Sequence, residues 1–201
     1  MSINPRQSTE SRQAEIIATM VALAAERNPA DITTTDIARA MNVTQGALFR
    51  HFPTKEAIRL AVIEWIEVRL MAELAAAQQA APDALRGLEA MFLAHVRFIR
   101  EFPGVPRLVF AELQQADGSP VRQRVQTVMR HYRQTLAEVL ANAKSMRLIR
   151  QDINCQAAAA LFLGAIQGLV MQSMLAGSAL DGEAPVAGVL QLYLASLGGK
   201  P

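Results

Sequence analysis

The sequence predicts an all-α protein of about nine helices, with three in a small N-terminal domain and the others in a larger helical domain behind it. Hydrophobic residues make up 51% of the 201 residues, which is enough for a sizeable core. Alanine, leucine, arginine and glutamine are plentiful, and these residues favour helices. Apolar residues recur at spacings of three and four, and no convincing pair of strand-like segments is found.

The first predicted helix begins at Ser8 or Thr9 and runs to about Arg27, where Asn28 and Pro29 stop it. Its apolar positions form one stripe, which consists of Ile16, Ile17, Met20, Val21 and Ala24. The segment therefore has one face to bury against neighbouring helices.

Three further helices are expected to begin at threonines, which are natural N-caps. Thr33 is followed three residues later by Asp36, as in a capping box with a shorter acid. Thr44 precedes a short helix over residues 45–51, and Thr54 precedes a long fourth helix. Each hydroxyl can accept a hydrogen bond from an N–H group of the first helical turn.

The second and third helices are joined by a short turn, which matches the helix-turn-helix layout. Asn42 suits the left-handed conformation that a sharp helix exit often needs, and Ala38 lets the two helices approach closely. The expected core of this small domain consists of Ile37, Val43, Leu48, Phe52 and Ile58.

The second half of the chain is predicted to be helical throughout. Its helices cover about residues 83–101, 105–115, 120–146, 155–176 and 185–197, and proline and glycine mark the breaks between them. We therefore divide the chain into a first domain over residues 1–53 and a second domain over residues 54–201.

Positive charge is concentrated near the predicted helix-turn-helix. The net charge of +2 is too small to indicate a partner, but Arg39, Arg50, Lys55 and Arg59 are opposed only by Glu56 in this part of the chain. Such a patch is typical of a DNA-contacting element and also of an ordinary solvated surface.

The sequence carries little sign of redox chemistry, secretion or membrane insertion. Cys155 is the only cysteine, and we expect a small buried hydrophobe rather than a redox sensor. Residues 1–6 lack the apolar stretch of a signal peptide, which predicts a cytoplasmic protein. Residues 157–175 are long enough to span a bilayer, but glutamines interrupt them. We expect a buried helix there and no membrane partner.

A helix-turn-helix places the N-terminal part of its second helix in the major groove of DNA. On the third predicted helix, Gln45 and Arg50 are the polar candidates, while Leu48 and Phe52 face the core. The free N–H groups at the starts of the three threonine-capped helices can bind phosphate. Any short pair of helices in a helical domain would show the same spacing.

From about Ala14 to Leu60 the sequence resembles the N-terminal domain of the tetracycline-repressor (TetR) family. The resemblance rests on Thr33-x-x-Asp36-Ile37-Ala38 and on the run Val43-Thr44-Gln45-Gly46-Ala47-Leu48-Phe49-Arg50-His51-Phe52-Pro53-Thr54-Lys55-Glu56-Ala57-Ile58. Asn28 and Asn42 stand where the family usually has glycine, and asparagine suits a left-handed position. Phe49 replaces the family's usual tyrosine, which removes a hydroxyl commonly used to hold a phosphate.

The resemblance implies a sequence-specific transcriptional regulator that binds double-stranded DNA. Gln45 and Arg50 fall where the family varies, so they are expected to read bases, by pairing with adenine and guanine respectively. The phosphate contacts it implies are Thr33, Thr44, His51 and Lys55. Gly46 would let the helix approach the DNA closely, and the ring of Phe49 would lie against the sugar backbone or a thymine methyl group.

The resemblance also implies a homodimer whose last two helices form the interface, and a second domain that binds an unidentified small-molecule effector. We expect a repressor that the effector releases from an inverted-repeat operator. The expected interface residues are Gly164, Gly168, Met171, Leu175, Leu190 and Leu194. The expected effector-lining residues, which have the spacing of plain core residues too, are Phe92, His95, Phe98, Met129, Tyr132 and Phe162.

The sequence offers no catalytic residues, cofactor site or metal site. Its three histidines are scattered, and paired carboxylates, a phosphate-binding glycine loop and a nucleophile motif are missing. Two other functions stay open, which are a non-specific DNA-compacting protein and a helical protein–protein adaptor. Sequence-selective binding with release by an effector would distinguish the regulator from both.

Overall fold

The computed structural model describes residues 8–177 and 183–198 of the chain. Within these ranges it contains nine α-helices, a 3-10 turn at Pro29–Asp31 and no strand. The helices are α1 (Thr9–Glu26), α2 (Thr34–Ala40), α3 (Gln45–Phe49), α4 (Lys55–Gln79), α5 (Ala84–Glu101), α6 (Gly104–Leu113), α7 (Pro120–Ser145), α8 (Cys155–Ala176) and α9 (Glu183–Ser196). The predicted all-α fold class is confirmed, while the signal-peptide prediction for residues 1–6 lies outside the described residues.

Four helix starts carry the capping side chains that the sequence predicts. The hydroxyl oxygens of Ser8, Thr33, Thr44 and Thr54 each accept a hydrogen bond of 3.0–3.2 Å from the backbone N–H three residues later. These bonds satisfy N–H groups that have no partner within their own helix. The helix boundaries near the N-terminus were predictable because these signals are local in sequence.

The described residues form two compact units in space. The first unit contains residues 8–66 and 102–125, and the second contains residues 67–101, 126–177 and 183–198. Helix α6 belongs to the same unit as the helix-turn-helix. The functional boundary between residues 53 and 54 stays a prediction.

The core of the first unit includes most of the side chains predicted for it. Ile37, Leu48, Phe52 and Ile58 are buried, whereas Val43 is only half-buried. Val43 lies in the turn before α3, at the edge of the packed helices. Helix α1 adds Ile16, Met20, Val21 and Ala24 to the core.

The expectation that Asn28 occupies a left-handed position is wrong. Its φ is −62° and its ψ is 123°, which is an extended conformation, and its side-chain oxygen accepts a hydrogen bond of 3.2 Å from the N–H of Ala30. Asn28 therefore caps the 3-10 turn that follows α1. The side chain supplies the turn-forming interaction without positive φ.

Helix α6 packs directly on the backbone of α1. A Cβ atom added to Gly104 would lie 2.0 Å from the carbonyl oxygen of Val21 and 2.9 Å from the N atom of Ala25. Arg107 Nη1 donates a hydrogen bond of 2.8 Å to the carbonyl oxygen of Ala25, near the end of α1. A cation at a helix C-terminus stabilises the carbonyl groups that have no partner there. Glycine and arginine together fasten α6 to α1.

The second unit is built from α5, α8 and α9 together with the later parts of α4 and α7. Its buried side chains include Leu88, Phe92, Phe98, Tyr132, Leu136, Phe162, Ile166 and Tyr193. Phe162 lies edge-to-face with Phe92 at a centroid distance of 5.3 Å and with Tyr193 at 5.5 Å. This aromatic cluster is the centre of the second unit.

Replacing Gly104 by Ala should destabilise the protein by about 3 kcal/mol, because the new methyl group would overlap backbone atoms that cannot rotate away. The free energy of unfolding, measured by denaturant titration followed by circular dichroism, checks this expectation. Gly118→Ala is the matched control, since an added Cβ there has no atom within 4 Å. Equal stabilities of the two variants would contradict the close contact.

Candidate nucleic-acid interface

The helix-turn-helix consists of α2, a four-residue turn and α3. Asn42 has a φ of 54°, which is the left-handed conformation predicted for it. The N–H of Val43 donates a hydrogen bond of 2.9 Å to the carbonyl oxygen of Ala38. Because this bond closes the end of α2 and the turn leads directly to the cap of α3 at Thr44, the direction of α3 is set by the backbone.

The start of α2 is held by a complete capping box. The N–H of Thr33 donates to Asp36 Oδ2 at 2.8 Å, and the N–H of Asp36 donates back to Thr33 Oγ1 at 3.1 Å. Arg27 Nη1 lies 3.1 Å from Asp36 Oδ1. The hydrogen bonds from the hydroxyl and the N–H of Thr33, and then the Arg27 guanidinium, hold the pKa of Asp36 well below its usual range. The carboxylate is therefore charged at neutral pH and fixes this turn.

Helix α3 exposes the side chains that the sequence assigns to DNA. Gln45 and Arg50 are exposed, and so is Phe49, at 41%. An added Cβ at Gly46 would have no atom within 4 Å, so the backbone there is open to a ligand. On the opposite side Leu48 is buried. Exposed polar groups and an aromatic ring thus share the outer face of α3.

One contact on this face is not apparent from the sequence. Gln45 Nε2 donates a hydrogen bond of 2.7 Å to Thr34 Oγ1, which lies in the first turn of α2. The two residues are eleven positions apart. A contact between successive helices depends on the angle at which they meet, and the spacing of residues in the sequence does not predict it.

The predicted phosphate contacts at His51 and Lys55 lie just after α3. Lys55 is half-buried, and its Nζ donates a hydrogen bond of 3.4 Å to the carbonyl oxygen of Ala30. Burial lowers the pKa of Lys55 from its usual value, and the charge of Arg59 lowers it further. The backbone oxygen of His51 accepts from Gln13 Nε2 at 3.2 Å. His51 Nδ1 is buried without a hydrogen-bond partner among the described residues.

A buried ion pair joins α4 to α6 in the first unit. Arg59 Nε donates to Glu112 Oε1 at 2.6 Å, and Arg59 Nη2 donates to Glu112 Oε2. Glu112 is only 4% exposed. The hydrogen bonds to Glu112 raise the pKa of Arg59. The sequence analysis placed Arg59 in the basic patch and missed its partner, which is 53 positions away.

The expected effector-lining residues divide into a buried cluster and two less enclosed positions. Phe92, Phe98, Tyr132 and Phe162 have no exposed surface, and Met129 is half-buried. His95 Nδ1 lies 3.1 Å from the hydroxyl oxygen of Tyr132. Burial lowers the pKa of His95 to about 4 and raises the pKa of Tyr132, so both groups are neutral at pH 7.

The expected interface residues also divide into two groups. On α8, Gly164, Gly168, Met171 and Leu175 are all exposed, and an added Cβ at either glycine would have no atom within 4 Å. On α9, Leu190 is buried within its own unit and Leu194 is half-buried. The last two lie with α5 around a groove of about 360 Å³. Their role at an interface stays a prediction.

Helix α8 leaves an apolar face exposed. It is long and apolar enough to cross a membrane by length and composition, a test that core helices of soluble proteins also pass. Only 39% of the most apolar 18-residue stretch of α8 is buried within the chain. Leu161 on α8 and Leu192 on α9 are 54% and 74% exposed. A surface of this kind usually contacts another protein or a lipid phase.

The capped turn, the exposed face of α3 and the basic groups beside it define a helix-turn-helix DNA-binding domain. Residues 16–62 match the family model described as bacterial regulatory proteins, tetR family. Residues 81–183 match the model for the tetracyclin repressor-like C-terminal domain. The chain belongs to the TetR family of bacterial regulatory proteins. The resemblance inferred from the sequence is confirmed.

Curated relatives include nucleoid occlusion factors. The chain is 29% identical to the nucleoid occlusion factor SlmA of Haemophilus ducreyi over 122 residues. That match covers 60% of this chain and 60% of the relative, so the chain spans less than two thirds of that protein's length.

Solved structures with the same fold include two regulators named FadR. The fatty acid degradation regulator FadR from Bacillus halodurans has a TM-score of 0.82 and 20% identity, with all of both chains covered. FadR from Bacillus subtilis, solved in complex with stearoyl-CoA, has a TM-score of 0.78 and 18% identity, with 90% of this chain and 97% of that chain covered. At these identities the likeness concerns the fold alone.

Proposed function

We propose that this protein is a repressor that binds an inverted-repeat operator as a homodimer and leaves it when a small-molecule effector binds. The observation that carries the proposal is the outer surface of α3 and its C-cap, where Gln45, Phe49 and Arg50 are exposed. Capping hydrogen bonds hold the starts of α2 and α3. A two-fold dimer would place two such helices in successive major grooves, about 34–36 Å apart. Selection of bound sequences from random DNA tests this, since an inverted repeat is expected.

The roles of the side chains follow from their chemistry and placement. Gln45 and Arg50 carry paired hydrogen-bonding groups, which can distinguish adenine and guanine in the major groove. Lys55 carries a point charge at the start of α4, where a phosphate of the backbone would lie beside the capped N–H groups. We assign base reading to the first two residues, and phosphate contacts to Lys55, Thr33, Thr44 and His51.

Replacing Lys55 by Ala should weaken binding to all DNA sequences similarly and lower the slope of log K against log salt by about one per bound copy. Replacing Arg50 by Ala should cost roughly 1–3 kcal/mol on the preferred site and relax the preference at one base pair of each half-site. Fluorescence anisotropy at several salt concentrations separates the two effects. A changed base preference in Lys55→Ala, with normal specificity in Arg50→Ala, would reverse the assignment.

The dimer interface is proposed on the exposed face of α8. The exposed residues Gly164, Gly168, Met171 and Leu175 lie at spacings of three and four along α8, which places them on one side of the helix. Two glycines with open space above them allow a partner helix to approach closely. Leu192 of α9 adds a further exposed apolar side chain.

Gly168→Glu should dissociate this dimer, because the carboxylate would be buried in an apolar contact at a cost of several kcal/mol. DNA binding should also fall, although the helix-turn-helix is unchanged. Gly118→Glu is the matched control, since it adds the same charge to an exposed turn of the first unit. Light scattering without detergent gives the masses. A dimeric Gly168→Glu variant with normal DNA binding would place the interface elsewhere, and a wild-type protein that needs detergent would favour a membrane.

The effector is proposed to bind among the aromatic side chains of the second unit. The cluster is closed by edge-to-face contacts, so a ligand has to separate rings to enter. The neutral His95–Tyr132 pair offers the ligand a hydrogen bond in apolar surroundings. The FadR structure that holds stearoyl-CoA makes long-chain acyl-CoA the first effector to test.

Stearoyl-CoA should release the protein from its selected operator, and coenzyme A alone should not. Tyr132→Phe keeps the ring but removes the hydroxyl beside His95, and it should shift the effector concentration for half-release by about 2–10-fold. Tyr193→Phe is the control, because that hydroxyl is bonded to the carbonyl oxygen of Ala158 instead. Release that is equal in both variants and the wild type would exclude the pair from the effector site.

A second candidate function is a role in nucleoid occlusion, which the 29% identity to SlmA favours. Genome-wide occupancy distinguishes the candidates, since a repressor should occupy a few promoters and a nucleoid occlusion factor many dispersed sites. Binding without sequence preference would favour a DNA-compacting protein.

A further inference from the structure

The amide of Gln45 is held by a neighbouring helix before any DNA is bound. Its Nε2 donates the 2.7 Å hydrogen bond to Thr34 Oγ1, and Thr34 is half-buried whereas Gln45 is exposed. Thr34 is β-branched and lies in a helix, so its side chain has few rotamers. The more rigid residue therefore anchors the more flexible one.

We propose that Thr34 is a positioning residue for base reading, which holds the Gln45 amide in place beside α2. This inference rests on the proposed function, because it requires Gln45 to face a base. The amide of glutamine has one acceptor and two donors. One N–H is used by Thr34, and the other N–H and the carbonyl oxygen remain for the DNA.

The chemical consequence is a defined position of the amide at the base edge. Adenine presents an acceptor at N7 and a donor at N6 in the major groove, and a glutamine can pair with both at once. The bond to Thr34 Oγ1 holds the amide beside the first turn of α2. With one N–H engaged there, the second N–H can meet N7 of adenine while the amide oxygen accepts from N6. Guanine presents acceptors at both positions, so a fixed amide discriminates against it.

Contact with DNA should strengthen this effect. An exposed hydrogen bond contributes little while water competes for both partners. When a DNA groove excludes that water, the same bond becomes stronger and an amide displaced from it becomes more costly. Thr34 thus contributes to discrimination between bases more than to total affinity.

Thr34→Val tests the proposal, because valine keeps the shape of threonine and removes the hydroxyl. The operator is obtained by selection with the wild-type protein. The base pair that Gln45 reads is then the one whose substitution weakens binding by the wild type but not by Gln45→Ala. At that base pair, Thr34→Val should reduce the ratio of dissociation constants for the wrong and right base by about three- to tenfold. The salt slope should not change. Thr34→Ser should restore the ratio, and Thr35→Val, its neighbour in α2, should leave it unchanged.

The outcomes separate this proposal from the proposed function. If Gln45→Ala changes the preference at no base pair, Gln45 does not read bases and the proposed function fails at that residue. If Gln45→Ala has its effect and Thr34→Val has none, the positioning role is overturned. Thr34→Val added to Gln45→Ala should have no further effect at that base pair. A uniform loss of affinity with a smaller salt slope would make Thr34 a backbone contact, which also overturns the proposal.

Discussion

The DNA-reading part of this protein depends on hydrogen bonds that compensate for the shortness of its helices. α2 has seven residues and α3 has five, below the roughly 12–15 residues at which an isolated helix becomes stable in water. The first four N–H groups of any helix have no partner within it, and in α2 and α3 these are most of the helix. The hydroxyls of Thr33 and Thr44 satisfy some of them, and the burial of Ile37 and Leu48 fixes both helices to the core. Caps and burial together therefore make the reading surface rigid.

The same constraint explains why α3 can present unusual side chains outward. Leu48 and the cap at Thr44 hold the helix, so the side chains on its outer face are not needed to keep it in place. Phe49 keeps 41% of its surface exposed, although burying it would be favourable. An exposed ring beside polar side chains suits contact with sugars or thymine methyl groups. On α8 four large apolar side chains are exposed, which are Leu161, Met171, Met174 and Leu175, and such a surface usually contacts a partner.

Most of the fold could be predicted from the sequence because its signals are local. Caps, proline and glycine breaks, and apolar spacing act within a few residues, and they placed the helices within a few residues of their bounds. Contacts between elements were missed, since the bonds from Gln45 to Thr34 and from Arg59 to Glu112 depend on how helices cross. Gln45, Phe49 and Arg50 are exposed as the sequence predicts, whereas His51 and Lys55 are half-buried. In the second unit, spacing does not distinguish side chains that line a cavity from those that fill a core.

The contacts of α6 with α1 and α4 restrict how the helices of the first unit can move relative to one another. Gly104 lies against the backbone of α1, Arg107 donates to the last turn of α1, and Glu112 pairs with Arg59 of α4. Moving α6 away from α1 and α4 would open a close-packed contact and separate a buried ion pair, and each of these changes is costly. The helices of the first unit are thus expected to move together. The internal geometry of the helix-turn-helix is therefore expected to stay intact in any state of the protein that keeps these contacts.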